Sequence, residues 1–498
     1  RTRFAGSPIE LMLEVRDHDR SIPLDAKLPG ISPVHRAGLE LPPKLLRAAS
    51  GPLAGVSPER APLLVPIETP LSFAGFHPAT LIQFRPMFEQ LGISPVQGGA
   101  SGQVPGPEPS QDWQQTLRPG EPVAAVLVFG DMTVSGLGTV TYNDGKHVLA
   151  FGHSFFNLGP VDMPMSKAEV VTVLASAYQP AKVANVGEIV GALRQDRRSA
   201  VLGELGARAN TIPVWIAVRS LDPQGNLEKQ REFRFHVFVH QKWTPYLMML
   251  TLFNSISNLN EFAQEMTFRV HGELELDGQG KVSLETMLAD GELPTPAPMM
   301  LANWWGEKFS KLFLNAVNMP QLRRVEATVD LLPQRRVAQI ETAWTDRKEA
   351  RPGEEVEVIV YLQPYRGERL KRELRLRVPA GLPAGMYRIL LSDAQTLNRL
   401  LQPASTLNNS MDVPQTVALL NQERSNNRLY VSLVQARPTI YYQDKVLPNL
   451  PGSVASVLYA NRYGTRGLLA SGASVQEQTS IPFEYVVQGS YSLPIQIQ

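Results

Sequence analysis

From Glu121 the chain turns to dense strand signals, with apolar residues recurring at every second position in several runs. Val325, Ala327, Val329 and Leu331 alternate, as do Val356, Val358, Val360 and Leu362, then Leu374, Leu376 and Val378. That is the period of a strand buried on one face. Proline points the same way. Its 41 residues in 498 are about 8% of the chain, against a usual value near 5%. So much proline excludes a long helical bundle and favours β domains with pinned connections. The expected class is mainly β with some α: a β core with helices, an immunoglobulin-like antiparallel sandwich, then a mixed C-terminal region.

The charges nearly cancel, 48 Lys+Arg against 47 Asp+Glu, so no broad positive field exists to hold nucleic acid. An apolar content of 43% supplies packed cores and excludes a mainly disordered chain. Cysteine is absent, which removes disulfide scaffolds, thiol catalysis, thiolate zinc and iron–sulfur ligation together. No cofactor or metal is expected. No apolar run reaches the roughly 18 residues that would read as a membrane helix. The chain opens at Arg1 without an initiator Met, so the gene is expected to begin further upstream.

Four regions follow from composition and period. Residues 1–110 are proline-rich, with a short helical signal at Pro8–Leu13, a helix over Pro78–Leu91 that Pro86 should kink, and a Gly/Pro linker over 97–110. Residues 111–320 carry dense strand signals. Val134–Tyr142 and His147–Phe151 flank Asn143-Asp144-Gly145, a strong hairpin turn. Ala168–Ala177 reads equally as helix or strand. Thr211–Arg219 and Arg231–His240 should pair around Asp222-Pro223-Gln224-Gly225, while Leu247–Glu265 and Met299–Val317 are helical. Residues 321–393 are the sandwich, with Glu355 and Glu357 on its wet face. Residues 394–498 hold a helical segment and a strand-rich tail.

Most side chains that invite a chemical reading have a plainer one. His236 and His240 sit four apart, but Phe233, Phe235, Val237 and Val239 alternate between them as in a strand. That spacing separates the imidazoles by roughly 13 Å, too far to share an ion. Trp304-Trp305 reads as a core or interdomain contact, and Gly98-Gly99-Ala100-Ser101-Gly102 as linker. Arg194-Gln195-Asp196-Arg197-Arg198 reads as a solvated turn or a salt-bridged face.

The exception is Gly130–Met165. A hairpin runs straight into Gly152-His153, and a second glycine turn follows at Gly159-Pro160. A histidine just past a strand end, on a loop held by rigid strands, is well placed for catalysis. A neutral imidazole at His153 can act as general base for a serine.

The run Gly138-Thr139-Val140-Thr141-Tyr142, then Leu149-Ala150-Phe151-Gly152-His153, resembles the hallmark of SpoIVB-type serine peptidases, in the long multidomain exported bacterial branch. Gly130-Asp131, Asn157-Leu158-Gly159-Pro160, Gly187–Gly191, Arg194–Arg197 and Ile212-Pro213-Val214 are similar to that branch too. So are the Arg351-Pro352-Gly353 and Pro364–Gly367 turns of an appended sandwich. The resemblance implies a peptidase-like β core over 111–320, with 1–110 as the N-terminal part of the same region. It makes His153 the catalytic base, with a serine nucleophile in a Gly-Met-Ser-Gly-Ser-Pro loop and an orienting aspartate.

That nucleophile loop is nowhere intact. Ala5-Gly6-Ser7-Pro8-Ile9-Glu10-Leu11-Met12-Leu13 is similar to the segment that follows it in the family, which puts the serine upstream of Arg1. A rival alignment makes Ala5–Pro8 the loop itself, with alanine for serine. Ser154 departs from the family residue after the histidine, and Asp131 and Asp162 are near His153 only in sequence. The expectation is an exported serine peptidase, or its processed large fragment, periplasmic, cell-surface or extracellular. It would act on a protein or peptide substrate, its own N-terminal segment included. The alternative is a non-catalytic surface assembly protein on the same scaffold. Self-assembly, where it occurs, is expected through the C-terminal half, because unpaired sheet edges accept another chain.

Overall fold

A computed structural model describes residues 7–19, 69–98, 106–174, 181–259, 265–291, 295–314, 318–401, 412–435 and 473–498, with short pieces at 440–442, 445–447, 453–454, 456–457 and 468–470. Residues 99–105, half of the Gly/Pro linker read from the sequence, lie outside these residues. The chain is mainly β and divides into two compact units. One comprises residues 1–213 and 234–240, the other 214–233 and 241–498.

The first unit starts with helix α1 (Ile9–His18), then β1 (Thr69–Ala74), α2 (Pro78–Gln90) and β2 (Ile93–Gln97). Helix α2 runs unbroken through Pro86. The carbonyl that Pro86 strips of its partner belongs to Ile82, which is two-thirds exposed, so water can satisfy it. Next come β3 (Pro122–Gly130), β4 (Thr133–Asn143), β5 (His147–Ala150), β6 (Gly159–Leu174), β7 (Ala181–Asp196) and β8 (Val201–Leu205). The stretch from Ala168 that sequence left open is strand as far as Leu174.

These six strands close on themselves in the order β3-β6-β7-β8-β5-β4, because β3 also pairs with β4. Every pairing in the ring is antiparallel. Closure removes sheet edges and makes a rigid wall. The turn between β4 and β5 is built as its residues suggest. Asn143 and Asp144 side chains accept from the backbone N–H groups of Gly145, Lys146 and His147, and Gly145 takes φ +88°.

Strands β9 (Thr211–Leu221) and β10 (Leu227–Phe238) flank the Asp222–Gly225 turn as expected. In the second unit, helix α3 (Trp243–Ser257) packs on α4 (Ala297–Phe313), introduced after strands β11 (Met266–Leu276) and β12 (Gly280–Ala289). Helix α3 stops short of the sequence expectation: Glu265 lies outside it, at φ +64°. Trp305 is fully buried, in line with a core contact, while Trp304 is half-buried.

Strand β13 (Leu322–Pro333) corrects the sandwich boundary. It pairs antiparallel with β11 and parallel with residues 214–220 of β9, so it belongs to the β9–β13–β11–β12 sheet. Its alternation buries one face equally well in either sheet, and so period alone could not assign it.

The sandwich proper begins with β14 (Val337–Thr345), followed by β15 (Glu349–Ala350), β16 (Glu355–Pro364), β17 (Leu370–Arg377) and β18 (Gly385–Ser392). After helices α5 (Ala394–Leu401) and α6 (Val413–Asn421) come β19 (Arg428–Gln435), the small strands β20 (Ile440–Tyr442), β21 (Lys445–Leu447) and β22 (Leu468–Ala470), then β23 (Ser474–Pro482), β24 (Val486–Gln488) and β25 (Ser490–Ile497). One layer is β17-β16-β14-β24 and the other β15-β25-β18-β19-β23. The tail is thus half of the sandwich rather than an addition to it. Val356, Val358, Val360 and Leu362 are fully buried against Ile389, Leu433 and Ile495, and Glu355 and Glu357 face solvent. The sandwich is not wholly antiparallel: β14–β24 and β15–β25 run parallel.

Candidate active site

His153 lies on the loop between β5 and β6 of the closed barrel, and its side chain is exposed. The loop has almost no regular structure, yet three features fix it. The first is its backbone. Phe151 adopts φ +71° and Gly152 +69°, with Asn157 at +58° and Gly159 at +77°. Glycine takes such angles freely, but a left-handed phenylalanine is strained and persists only where its surroundings hold it.

Those surroundings are two glycines of β4. A Cβ built on Gly138 would stand 2.4 Å from the Phe151 ring, and one on Gly136 would stand 2.0 Å from the Phe155 ring. The two positions are one pleat apart on the same face. The strand therefore offers two bare places into which the loop's aromatic rings settle. Phe151 and Phe155 meet at 5.6 Å, and the His153 ring stands edge-on to Phe151 at 5.9 Å.

The third feature is Asp196, at the end of β7. Its carboxylate is 1% exposed and accepts three backbone N–H groups of the loop: Phe155 at 2.7 Å, Phe156 at 2.8 Å and Leu158 at 3.1 Å. Asp196 was read from the sequence as part of a solvated or salt-bridged basic turn. Its neighbours fit that description: Arg194 pairs with Asp162 and Glu204, and Arg198 is exposed in a bend. The signal that could have found Asp196 was its place in a run shared with the peptidase resemblance, not its chemistry.

The imidazole itself is held by one bond. His153 Nδ1 lies 2.7 Å from the backbone oxygen of Ser154. A carbonyl can only accept, so Nδ1 is the donor, and in the neutral ring the lone pair then sits on Nε2. Nε2 has no hydrogen-bond partner among the described residues. The arrangement can therefore take a proton at an exposed, oriented nitrogen.

The other candidates go elsewhere. Asp131 accepts from the backbone of Arg234, and Asp162 from Asn210 and Arg194. His236 stacks on Phe129 at 4.8 Å and meets Thr211 Oγ1 at 3.1 Å; burial and the Arg208 charge push its pKa down. His240 stacks on Phe238. Among the described residues, no three His, Asp or Glu side chains converge as metal ligands.

The second unit carries a separate polar hollow of about 370 Å³, lined by Arg219, Arg269, His271, Glu285, Thr328 and Asp330 among others. Arg219 and Arg269 both clamp the buried Asp330 carboxylate, at 2.6 and 2.7 Å. With Glu285 alongside, the two guanidinium charges face two carboxylates, and the row ties β9, β13 and β11 together. No family model matches the chain, and no curated protein or solved structure matches it either.

Proposed function

We propose that the chain is an exported bacterial serine peptidase, or its processed large fragment, of the SpoIVB-type family. In this reading His153 is the general base and the nucleophilic serine lies upstream of residue 1. The observation that carries the reading is the state of the His153 ring: one nitrogen tied to a carbonyl on a strained, over-determined loop, the other open with its lone pair outward. A closed antiparallel barrel is also a scaffold on which Ser-His-Asp hydrolysis is known to be built, which is an argument by analogy.

A second support comes from α1. Its Met12 and Val15 pack on Leu149, Ala200 and Leu202, and Ser199 Oγ donates to the Leu11 carbonyl at 2.9 Å. Its last turn reaches the β4–β5 turn, where Arg16 donates to Tyr142 Oη at 2.9 Å and meets Asp144 at 3.7 Å. Strand β5 leaves that turn and ends beside His153. The first turn of α1, preceded by Ser7 and Pro8, therefore lies toward the His153 end.

Nε2 would take the serine Oγ proton as Oγ bonds to the scissile carbonyl carbon, then pass it to the leaving amine as the C–N bond breaks. Water repeats the cycle on the acyl-enzyme. The substrate class is a protein or peptide, the chain's own N-terminal segment among them. The test is the full-length gene product with His153→Gln, assayed for casein hydrolysis, self-processing and labelling by a fluorophosphonate probe. Loss of all three in a protein with unchanged circular dichroism is the expected result. Unchanged hydrolysis and labelling would remove His153 from the chemistry. No hydrolysis by the unsubstituted product would favour an assembly protein on the same scaffold.

A further inference from the structure

Among the described residues no aspartate touches the His153 ring, yet a carboxylate stands one peptide group away. The oxygen that accepts from Nδ1 belongs to Ser154, and the N–H of that same peptide unit belongs to Phe155. The Phe155 N–H donates to Asp196 Oδ1 at 2.7 Å, and the Ser154 oxygen lies 2.7 Å from Nδ1. Carboxylate, peptide and imidazole form one line of two short hydrogen bonds. A peptide group is planar and polarisable, so a negative charge behind its N–H makes its carbonyl oxygen a stronger acceptor. Asp196 is 1% exposed, so its charge works in a poorly screened setting.

We propose that Asp196 is the positioning acid of His153, acting through the Ser154–Phe155 peptide group. This rests on the peptidase reading above and supplies its missing orienting acid. Asp196 does two things in this role. It fixes the carbonyl in the one direction that selects the Nδ1–H tautomer. It also places negative charge behind that carbonyl, where it steadies the imidazolium formed once Nε2 takes the serine proton. The further bonds from Phe156 and Leu158 keep the carboxylate from rotating away. The purely structural account, a buried carboxylate pinning a loop, explains those two bonds. It does not require the Phe155 N–H to share a peptide with the acceptor of the imidazole.

The test reads the imidazole directly. The 498-residue chain, labelled with 15N-histidine, is examined by long-range 1H–15N correlation, with His153→Gln assigning the resonance. The unsubstituted chain should show His153 as the Nδ1–H tautomer above neutral pH. Asp196→Asn, which keeps the shape and removes the charge, should shift it to a mixture rich in Nε2–H. In the full-length gene product the same substitution should lower kcat by about a hundredfold, the low end of what a poised base contributes, with KM unchanged. Asp196→Ala should regain part of the lost rate in formate, which can occupy the vacated place.

An Nε2–H tautomer in the unsubstituted chain overturns the proposal, even if Asp196 variants fail to fold. So does an Asp196→Asn variant that keeps both tautomer and kcat. If His153→Gln leaves hydrolysis intact, the peptidase reading falls, while the tautomer measurement still decides the Asp196–His153 coupling on its own.

Discussion

Adding one methyl group at Gly136 should damage the first unit more than most single-atom changes could. The Cβ of Gly136→Ala would stand 2.0, 2.5 and 3.1 Å from three ring carbons of Phe155, where unstrained carbon pairs sit at about 3.5–4.0 Å. The ring would have to retreat by more than 1 Å. Phe151 at 5.6 Å and Phe156 at 4.0 Å limit its movement, and its backbone N–H is held by Asp196. Compression of this kind costs about 1–3 kcal/mol, and the fixed surroundings put this case near 3. Escape of the ring to solvent forfeits about 1.5–3 kcal/mol of burial, so the two routes give similar answers. Phe155→Ala alone should cost about 3–5 kcal/mol. The double variant should cost no more than Phe155→Ala, because the new methyl then has room. The coupling energy of the cycle is therefore about −3 kcal/mol. Two compact units need not melt together, so the assay is native-state hydrogen exchange at Val148–Ala150, which reports the barrel alone. A Gly136→Ala cost within about 0.5 kcal/mol of zero, or costs that simply add, would refute the account of why β4 carries glycine there.

Glu423 lies between Lys308 and Lys311, and burial pushes the Lys308 pKa down despite the carboxylate beside it. Glu423→Gln should destabilise the second unit by about 3–5 kcal/mol in urea unfolding followed by tryptophan fluorescence, because it strands the buried Lys308 ammonium while Lys311 keeps Glu307. Lys308→Met should cost much less, and equal costs would contradict the pairing. His236 has a folded pKa below its ordinary 6.5, from burial and the Arg208 charge. Its contribution to stability is then present above pH 6.5 and lost as pH falls below it, because the unfolded chain takes up the proton first. Denaturation midpoints of the first unit should fall between pH 7 and 5, and His236→Gln should flatten that part of the slope; an unchanged slope would count against it.

Much of the β architecture could be read from the chain because its determinants are local. The Asn143-Asp144-Gly145 turn closes through its own side chains, and the Val356–Leu362 face needs only period two to declare itself. What could not be read was set by partners far away in sequence. β13 has the alternation of a sandwich strand and goes to another sheet, because register with β9 and β11 decides the matter. The tail strands β19 and β25 looked like an appendix and are half of the sandwich core. Asp196 is the sharpest case. A carboxylate among Arg194, Arg197 and Arg198 reads as surface, yet its partners are backbone N–H groups about forty positions earlier, which leave no mark on side-chain identity.

These distant parts explain why the segment around His153 has the residues it has. Gly136 and Gly138 leave space, Phe151 and Phe155 fill it, the left-handed turn at Phe151-Gly152 brings His153 outward, and Asp196 closes the loop from behind. None of these contacts needs a histidine. Phe151 and Phe155 pack without it, and Asp196 bonds only to backbone. A histidine recruited to hold the loop together would use both ring nitrogens, as buried imidazoles do when they serve structure. His153 uses one, on the carbonyl nearest to it, and the other has no hydrogen-bond partner among the described residues; in the neutral ring it carries the lone pair a base requires. The loop is built to carry this side chain, and the side chain contributes little to building the loop. That asymmetry, more than the resemblance of any motif, is the physical reason to look for chemistry at Nε2.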